Sequence, residues 1–188
     1  MNRFGRLSVL VLLVLAALAQ AVPAVPAAMA APDAPAVPAV GSAAPDFTLT
    51  SGEGNATSLK DFKGKWTVLY FYPKDFTGGC TIEAHNFQRD LAQYEKVNAT
   101  IVGVSVDSAE SHKSFCTKEG LAFKLLSDPD AQVSARYGSV MEHEGVKYSA
   151  RNTFIIDPEG KIVKTFVGVK PATHSEEVLA ALAELQKR

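Results

Sequence analysis

The stretch from Trp66 to Tyr94 restricts the fold more than any other part of the chain. Trp66–Tyr72 (WTVLYFY) is an uncharged run of aromatic and aliphatic residues, which predicts a buried strand. A Pro- and Gly-containing loop, PKDFTGG, follows. From Cys80 the apolar positions are Cys80, Ala84, Phe87, Leu91 and Tyr94, spaced as the face of a helix is. A buried strand turning at once into an amphipathic helix, with a cysteine opening that helix on its buried side, points to α/β architecture.

The downstream pattern continues the alternation. Folding is expected to start near Pro45–Leu49. Thr100–Val106 reads as a second buried strand. A helix is expected over 108–119, with Asp107 and Glu110 as a capping pair, Phe115 and Cys116 on one face with His112, and Gly120 as its stop. Asn152–Asp157 and Lys161–Val167 flank Asp157-Pro158-Glu159-Gly160, a type I turn signal, and so predict a hairpin. A last helix begins near Thr173, where Thr173 and Glu176 have capping-box spacing, and buries Val178, Leu182 and Leu185. The charged stretch around 140–147 is expected to be a solvated loop. The sum is one α/β domain with a mixed central sheet flanked by helices.

At 188 residues the chain has room for one domain and an appendage. The appendage is N-terminal. Met1–Arg6 is basic, Leu7–Ala19 is apolar and uncharged, and Ala28-Met29-Ala30 supplies small residues at a cleavage site. That is the pattern of a secretory signal peptide over 1–30, with an uncleaved signal anchor as the alternative. Ala, Pro and Val then dominate to residue 45, so 31–42 reads as a semi-rigid tether and 43–188 as the folded domain. Export is expected, to a bacterial periplasm, with no stable membrane insertion after cleavage. Nineteen basic against twenty acidic residues exclude the basic surface of a nucleic-acid binder.

The chemistry of the chain lies in its two cysteines. Cys80 is placed in the first turn of a helix, where free N–H groups and the helix dipole favour negative charge on the sulfur. For an exported protein with two cysteines, a structural Cys80–Cys116 disulfide is the ordinary reading, stabilising by about 4 kcal/mol in the chain-entropy view. Cys116 beside Phe115 could equally be a small core hydrophobe. There is no Cys-x-x-Cys and no Gly-rich dinucleotide fingerprint. His85, His112, His143 and His174 lack metal-ligand spacing and are expected at exposed or capping positions.

Pro73, Thr77 and Cys80 match the PxxxTxxC motif of peroxiredoxins, and YFYPKDFTGGCTIEAHNF resembles the peroxiredoxin Q, or bacterioferritin comigratory protein, subfamily. APDFTL, GVSVDS and RNTFIIDPEGKIV extend the resemblance over roughly residues 40–185. It implies a thioredoxin-like fold and a peroxidase acting on hydrogen peroxide and alkyl hydroperoxides, with no cofactor or metal and a thioredoxin-like reductant. By the same resemblance Cys80 is the peroxidatic cysteine, Thr77 hydrogen-bonds the thiolate and the peroxide, and Arg151 favours the thiolate and orients the peroxide. Pro73 shields the sulfur and Glu83 positions the arginine. Two positions depart from the common pattern: Gly78 stands where many members have Pro, and His85 where many have a resolving cysteine. Cys116 is then the expected resolving cysteine, in a protein expected to be monomeric. A one-cysteine mechanism, a thiol–disulfide oxidoreductase on the same fold, and a binding domain with a structural disulfide remain as alternatives.

Overall fold

The structure is a computed structural model describing residues 36–187. The signal segment 1–30 and the first part of the tether lie outside the described residues. From Gly41 the chain is bonded to the domain, Gly41 N–H donating to the Ile162 carbonyl at 2.7 Å and Ala44 N–H to that of Gly160 at 2.9 Å.

A seven-stranded mixed sheet organises the domain. In chain order its strands are β1 (Thr48–Ser51), β2 (Ala56–Ser58), β3 (Trp66–Phe71), β4 (Ala99–Ser105), β5 (Lys124–Ser127), β8 (Asn152–Ile156) and β9 (Ile162–Val167). Across the sheet the order is β2-β1-β5-β4-β3-β8-β9. The central β5-β4-β3 run is parallel, and the pairs outside it are antiparallel. The helices are α1 (Gly78–Lys96), α2 (Ala109–Glu119), the short α3 (Gln132–Arg136) and α4 (His174–Leu185). A separate hairpin pairs β6 (Val140–His143) with β7 (Val146–Ser149).

Strand β3 shows why the sheet is central. Side chains alternate between the faces of a strand. Val68, Tyr70 and Tyr72 pack on one face with Phe87 of α1, Phe115 of α2, and Val178 and Leu182 of α4. Leu69 and Phe71 pack on the other with Phe47, Tyr137 and Phe154. Only glycine fits at Gly103 in β4, because a Cβ there would lie 2.6 Å from Leu125 Cδ2 and 2.8 Å from the Tyr70 ring.

Several local expectations are corrected. Ser108, not Asp107, caps α2, its hydroxyl accepting the Ser111 N–H, while Asp107 is taken by Ser105 Oγ and the Asp75 N–H. The capping box at α4 does not form. Thr173 Oγ1 donates to Glu177, and Glu176 is drawn off by Arg89. The stretch around 140–147 is solvated but is a hairpin, turned by Glu144 and Gly145, both at positive φ as a type I′ turn requires. His112 and His174 are fully buried, contrary to the exposed or capping positions expected of them. Strands β1, β2 and β5 were not anticipated. They run four, three and four residues, too short for a period to show.

Candidate active site

The site assembles where β3 ends. Beyond Phe71 the chain passes through buried Tyr72, half-buried Pro73 and buried Asp75. It turns at Phe76, whose φ of 59° is left-handed, and enters α1 with Thr77 at its N-cap. Cys80 is thus the third residue of the helix, two later than the sequence suggested. Its backbone N–H is among the four at a helix start that lack an intrahelical partner. The side chain is 2% exposed and the thiol is free.

Arg151 reaches this sulfur from the residue before β8. Its carbonyl accepts the Val169 N–H, and the neighbouring Asn152 side chain bonds Ser139 and the Gly168 N–H, so the backbone that carries it is fixed. Arg151 Nη2 donates to Cys80 Sγ at 3.2 Å and Nη1 to Glu83 Oε2 at 2.7 Å. Cys80 and Glu83 are three residues apart on one helix face, so a single guanidinium spans both. Burial pushes the Glu83 carboxyl up to about 7, against the pull of Arg151, and leaves its Oε1 without a partner. Gly79 makes room for this contact, since a Cβ there would sit 2.9 Å from Arg151 Nη2.

Of the anticipated residues, Cys80, Arg151 and Glu83 therefore meet. Thr77 makes no hydrogen bond to the sulfur. Its hydroxyl donates to the Lys74 carbonyl at 3.0 Å. Pro73 lies in the loop between. Cys116 is a free, half-buried thiol inside α2, pushed up to about 11 by burial and neighbouring acids. It lines a groove of about 1040 Å³ with Ser51, Leu91, Lys113 and Leu121, which Cys80 does not enter. The sequence reading missed the buried cluster of Tyr72, Asp75, Ser111 and His112 that ties the loop to α2. Asp75 lay in the quoted loop, but nothing in the sequence identified its partner. Among the described residues no cluster of His, Cys, Asp or Glu could hold a metal ion, and no helix is long and apolar enough to cross a membrane.

The family model for AhpC/TSA matches residues 40–165, most of the domain that carries this site. The chain belongs to the AhpC/TSA family. It is 41% identical over 145 residues to peroxiredoxin Bcp of Xanthomonas campestris, covering 75% of this chain and 91% of that protein. The solved Xanthomonas campestris bacterioferritin comigratory protein, studied for its alkyl peroxide reduction activity, superposes with a TM-score of 0.70 at 40% identity, over 73% of this chain and 90% of that one. Two solved variants of Xanthomonas campestris peroxiredoxin Q match with TM-scores of 0.70 at 41% identity, over 73% of this chain and 90% of those. Each carries a cysteine-to-serine change, at positions separated by the same interval as Cys80 and Cys116. The fold is thioredoxin-like, and this peroxiredoxin is a thiol peroxidase.

Proposed function

We propose that this peroxiredoxin reduces hydrogen peroxide and alkyl hydroperoxides at Cys80, with Cys116 resolving the product. The observation that carries the reading is the Arg151 donor 3.2 Å from a sulfur seated at a helix start. The Cys80 thiolate attacks the terminal peroxide oxygen. An S–O bond forms, the O–O bond breaks, and the departing oxygen takes a proton and leaves as water or alcohol. Sulfur has lost two electrons and is a sulfenic acid. Arg151 and the N–H groups of the first turn of α1 offer donors to the oxygens as charge moves onto them. Thr77 directs its proton to Lys74, so its lone pairs can accept the hydroperoxide O–H. Pro73 shields the sulfur from bulk water, and Glu83 positions Arg151.

Cys116 then displaces hydroxide from the sulfenic sulfur. A disulfide forms, and the hydroxide leaves as water with the proton of the Cys116 thiol. A thioredoxin-like dithiol reduces this bond by exchange. The equal cysteine intervals in this chain and in the Xanthomonas campestris variants favour this two-cysteine reading over a one-cysteine one.

The test is the intact mass of the reduced protein after one equivalent of hydrogen peroxide, with the remaining thiols blocked once the reaction is over. Loss of two hydrogens, abolished by Cys80→Ser and by Cys116→Ser, is the expected result. An oxygen adduct that persists on Cys80 would leave an external thiol to resolve it, and an unchanged mass would overturn the peroxidase reading.

The tripartite N-terminus supports export to a periplasm on the end of residues 31–42, and the resemblance to the peroxiredoxin Q subfamily supports action there as a monomer. N-terminal sequencing of the periplasmic fraction should begin at Ala31. Recovery of the intact chain in the membrane fraction would favour a retained anchor, and sedimentation as a dimer would refute the monomer.

A further inference from the structure

The buried cluster beneath the loop is used by none of these steps. Asp75 and His112 are 3% and 0% exposed, and the Asp75 carboxylate is fully engaged. Oδ1 accepts Tyr72 Oη at 2.7 Å. Oδ2 accepts Ser111 Oγ at 2.7 Å and His112 Nδ1 at 2.9 Å, so Nδ1 of His112 carries its hydrogen. The Asp75 N–H donates to Asp107 Oδ2 at 2.9 Å. One residue on, Phe76 packs edge-on to Phe115 with centroids 5.0 Å apart, and Lys118 Nζ lies 5.4 Å from the Phe76 centroid. His112, Phe115 and Lys118 form one stripe of α2. The loop that delivers Cys80 is therefore fastened along the helix that carries Cys116.

Cys116, one turn after His112, lies at the edge of that stripe, about 100° around the helix from Phe115, and lines the separate groove. Cys80 faces Arg151 instead. A disulfide needs its Cα atoms within roughly 7 Å and its Cβ vectors turned together. The fastening holds the two thiols in different surroundings, and Phe76 at its left-handed φ is a conformation that a non-glycine residue leaves readily once its contacts are gone.

We infer that Asp75 and His112 are positioning residues for this peroxidase, a latch whose opening sets how fast Cys116 reaches the Cys80 sulfenic acid. The inference rests on the reading that Cys80 is oxidised and Cys116 resolves it. Closed, the latch holds the loop in the form that meets peroxide. Open, it frees the loop and α2 to bring the sulfurs together.

The experiment follows both steps by rapid quench and intact mass. His112→Phe keeps a ring and removes the donor to Asp75, whereas His112→Asn keeps an N–H near the Nδ1 position. In His112→Phe the lifetime of the oxygen adduct should shorten about tenfold, the scale of one hydrogen bond to a charged group. The sulfinic acid formed at high peroxide should fall with it. His112→Asn should return toward the wild type, and Ser111→Ala, at a half-buried position where the fold is less at risk, should shift the lifetime the same way by less. A purely structural role would lower the melting temperature and leave the ratio of the two steps unmoved. An unchanged or longer adduct lifetime in both His112→Phe and Ser111→Ala overturns the latch while the wild-type disulfide still forms. If the wild type itself never loses two hydrogens, the two-cysteine reading fails first and the latch falls with it.

Discussion

Replacing Arg151 by Met removes the one side-chain donor held against Cys80 while keeping an unbranched chain of similar length. At 3.2 Å and an effective dielectric near 20, a full unit charge would interact with the sulfur anion by about 5 kcal/mol. That is a ceiling, because the guanidinium is 22% exposed and spreads its charge over three nitrogens. A hydrogen bond to a charged group is worth about 1.5–3 kcal/mol, and this smaller figure governs. The second-order rate with peroxide should therefore fall by roughly ten- to 150-fold. Stability should suffer less than the loss of a buried ion pair usually implies, about 3–5 kcal/mol. Burial already holds Glu83 near 7, so below that pH it sheds its charge by taking a proton. The assay is stopped-flow peroxide reaction and thermal melting at pH 6, with Arg151→Lys beside it. Lysine cannot span both Glu83 and Cys80 and should fall between. An Arg151→Met protein that reacts within threefold of wild type, still at Cys80 alone, refutes the role given to this contact.

Gly79→Ala should slow the same reaction about tenfold with little change in melting, since its Cβ would meet only the movable end of Arg151, whereas Gly78→Ala meets open space and should leave the rate alone. The reverse ranking would contradict the geometry. Glu83 has a folded value of about 7 against 4.5 ordinarily, so its contribution is full below pH 4.5 and is lost as pH rises through 7, up to about 3 kcal/mol. Urea unfolding at pH 5 and pH 8 should show wild type losing that much relative to Glu83→Gln, and parallel losses would refute it. Burial lowers His174 from 6.5 to about 4, so its contribution is present above pH 6.5 and is lost as pH falls through 4. An NMR titration should find the ring neutral at pH 5.5, and a charged ring there would refute its burial. Phe87→Ala should cost about 3–5 kcal/mol in denaturant unfolding, because Phe87 is fully buried against Tyr70, Tyr94 and Phe123.

What could be read in advance was whatever a short segment carries by itself. The apolar run of β3, the period of α1 and the Pro158–Gly160 turn are local, and each produced its element. The motif around Cys80 is local too. Arg151, far along the chain, was found only because the family resemblance supplied it. Short β5 could not be seen, because Lys124–Ser127 has two polar ends and its buried character comes from β4 and β1 on either side. Glu144-Gly145 sends a weaker turn signal than Asn-Gly, since glutamate seldom enters the left-handed region. His112 was placed on one helix face with Phe115 and Cys116 yet was expected at an exposed or capping position, and it is fully buried. A histidine there is intelligible only with Asp75 as acceptor, and no periodicity shows a partner on another element.

The two cysteines also differ in a way that orders their chemistry. Cys80 has a donor at its sulfur, Arg151 Nη2, and sits in the first turn of α1. Cys116 has none of these, and its value of about 11 instead of 9 leaves it with about a hundredfold less thiolate near neutral pH than an ordinary cysteine. In the closed arrangement a peroxide therefore meets one competent nucleophile. The same burial that protects Cys116 from direct oxidation slows it as an attacking group, because the thiolate is the species that attacks. Exposing α2 relieves the desolvation that raises Cys116 and removes the loop contacts that hold it away from Cys80. On the proposed two-cysteine reading, one opening motion would thus supply both the approach and the ionisation that the second step needs.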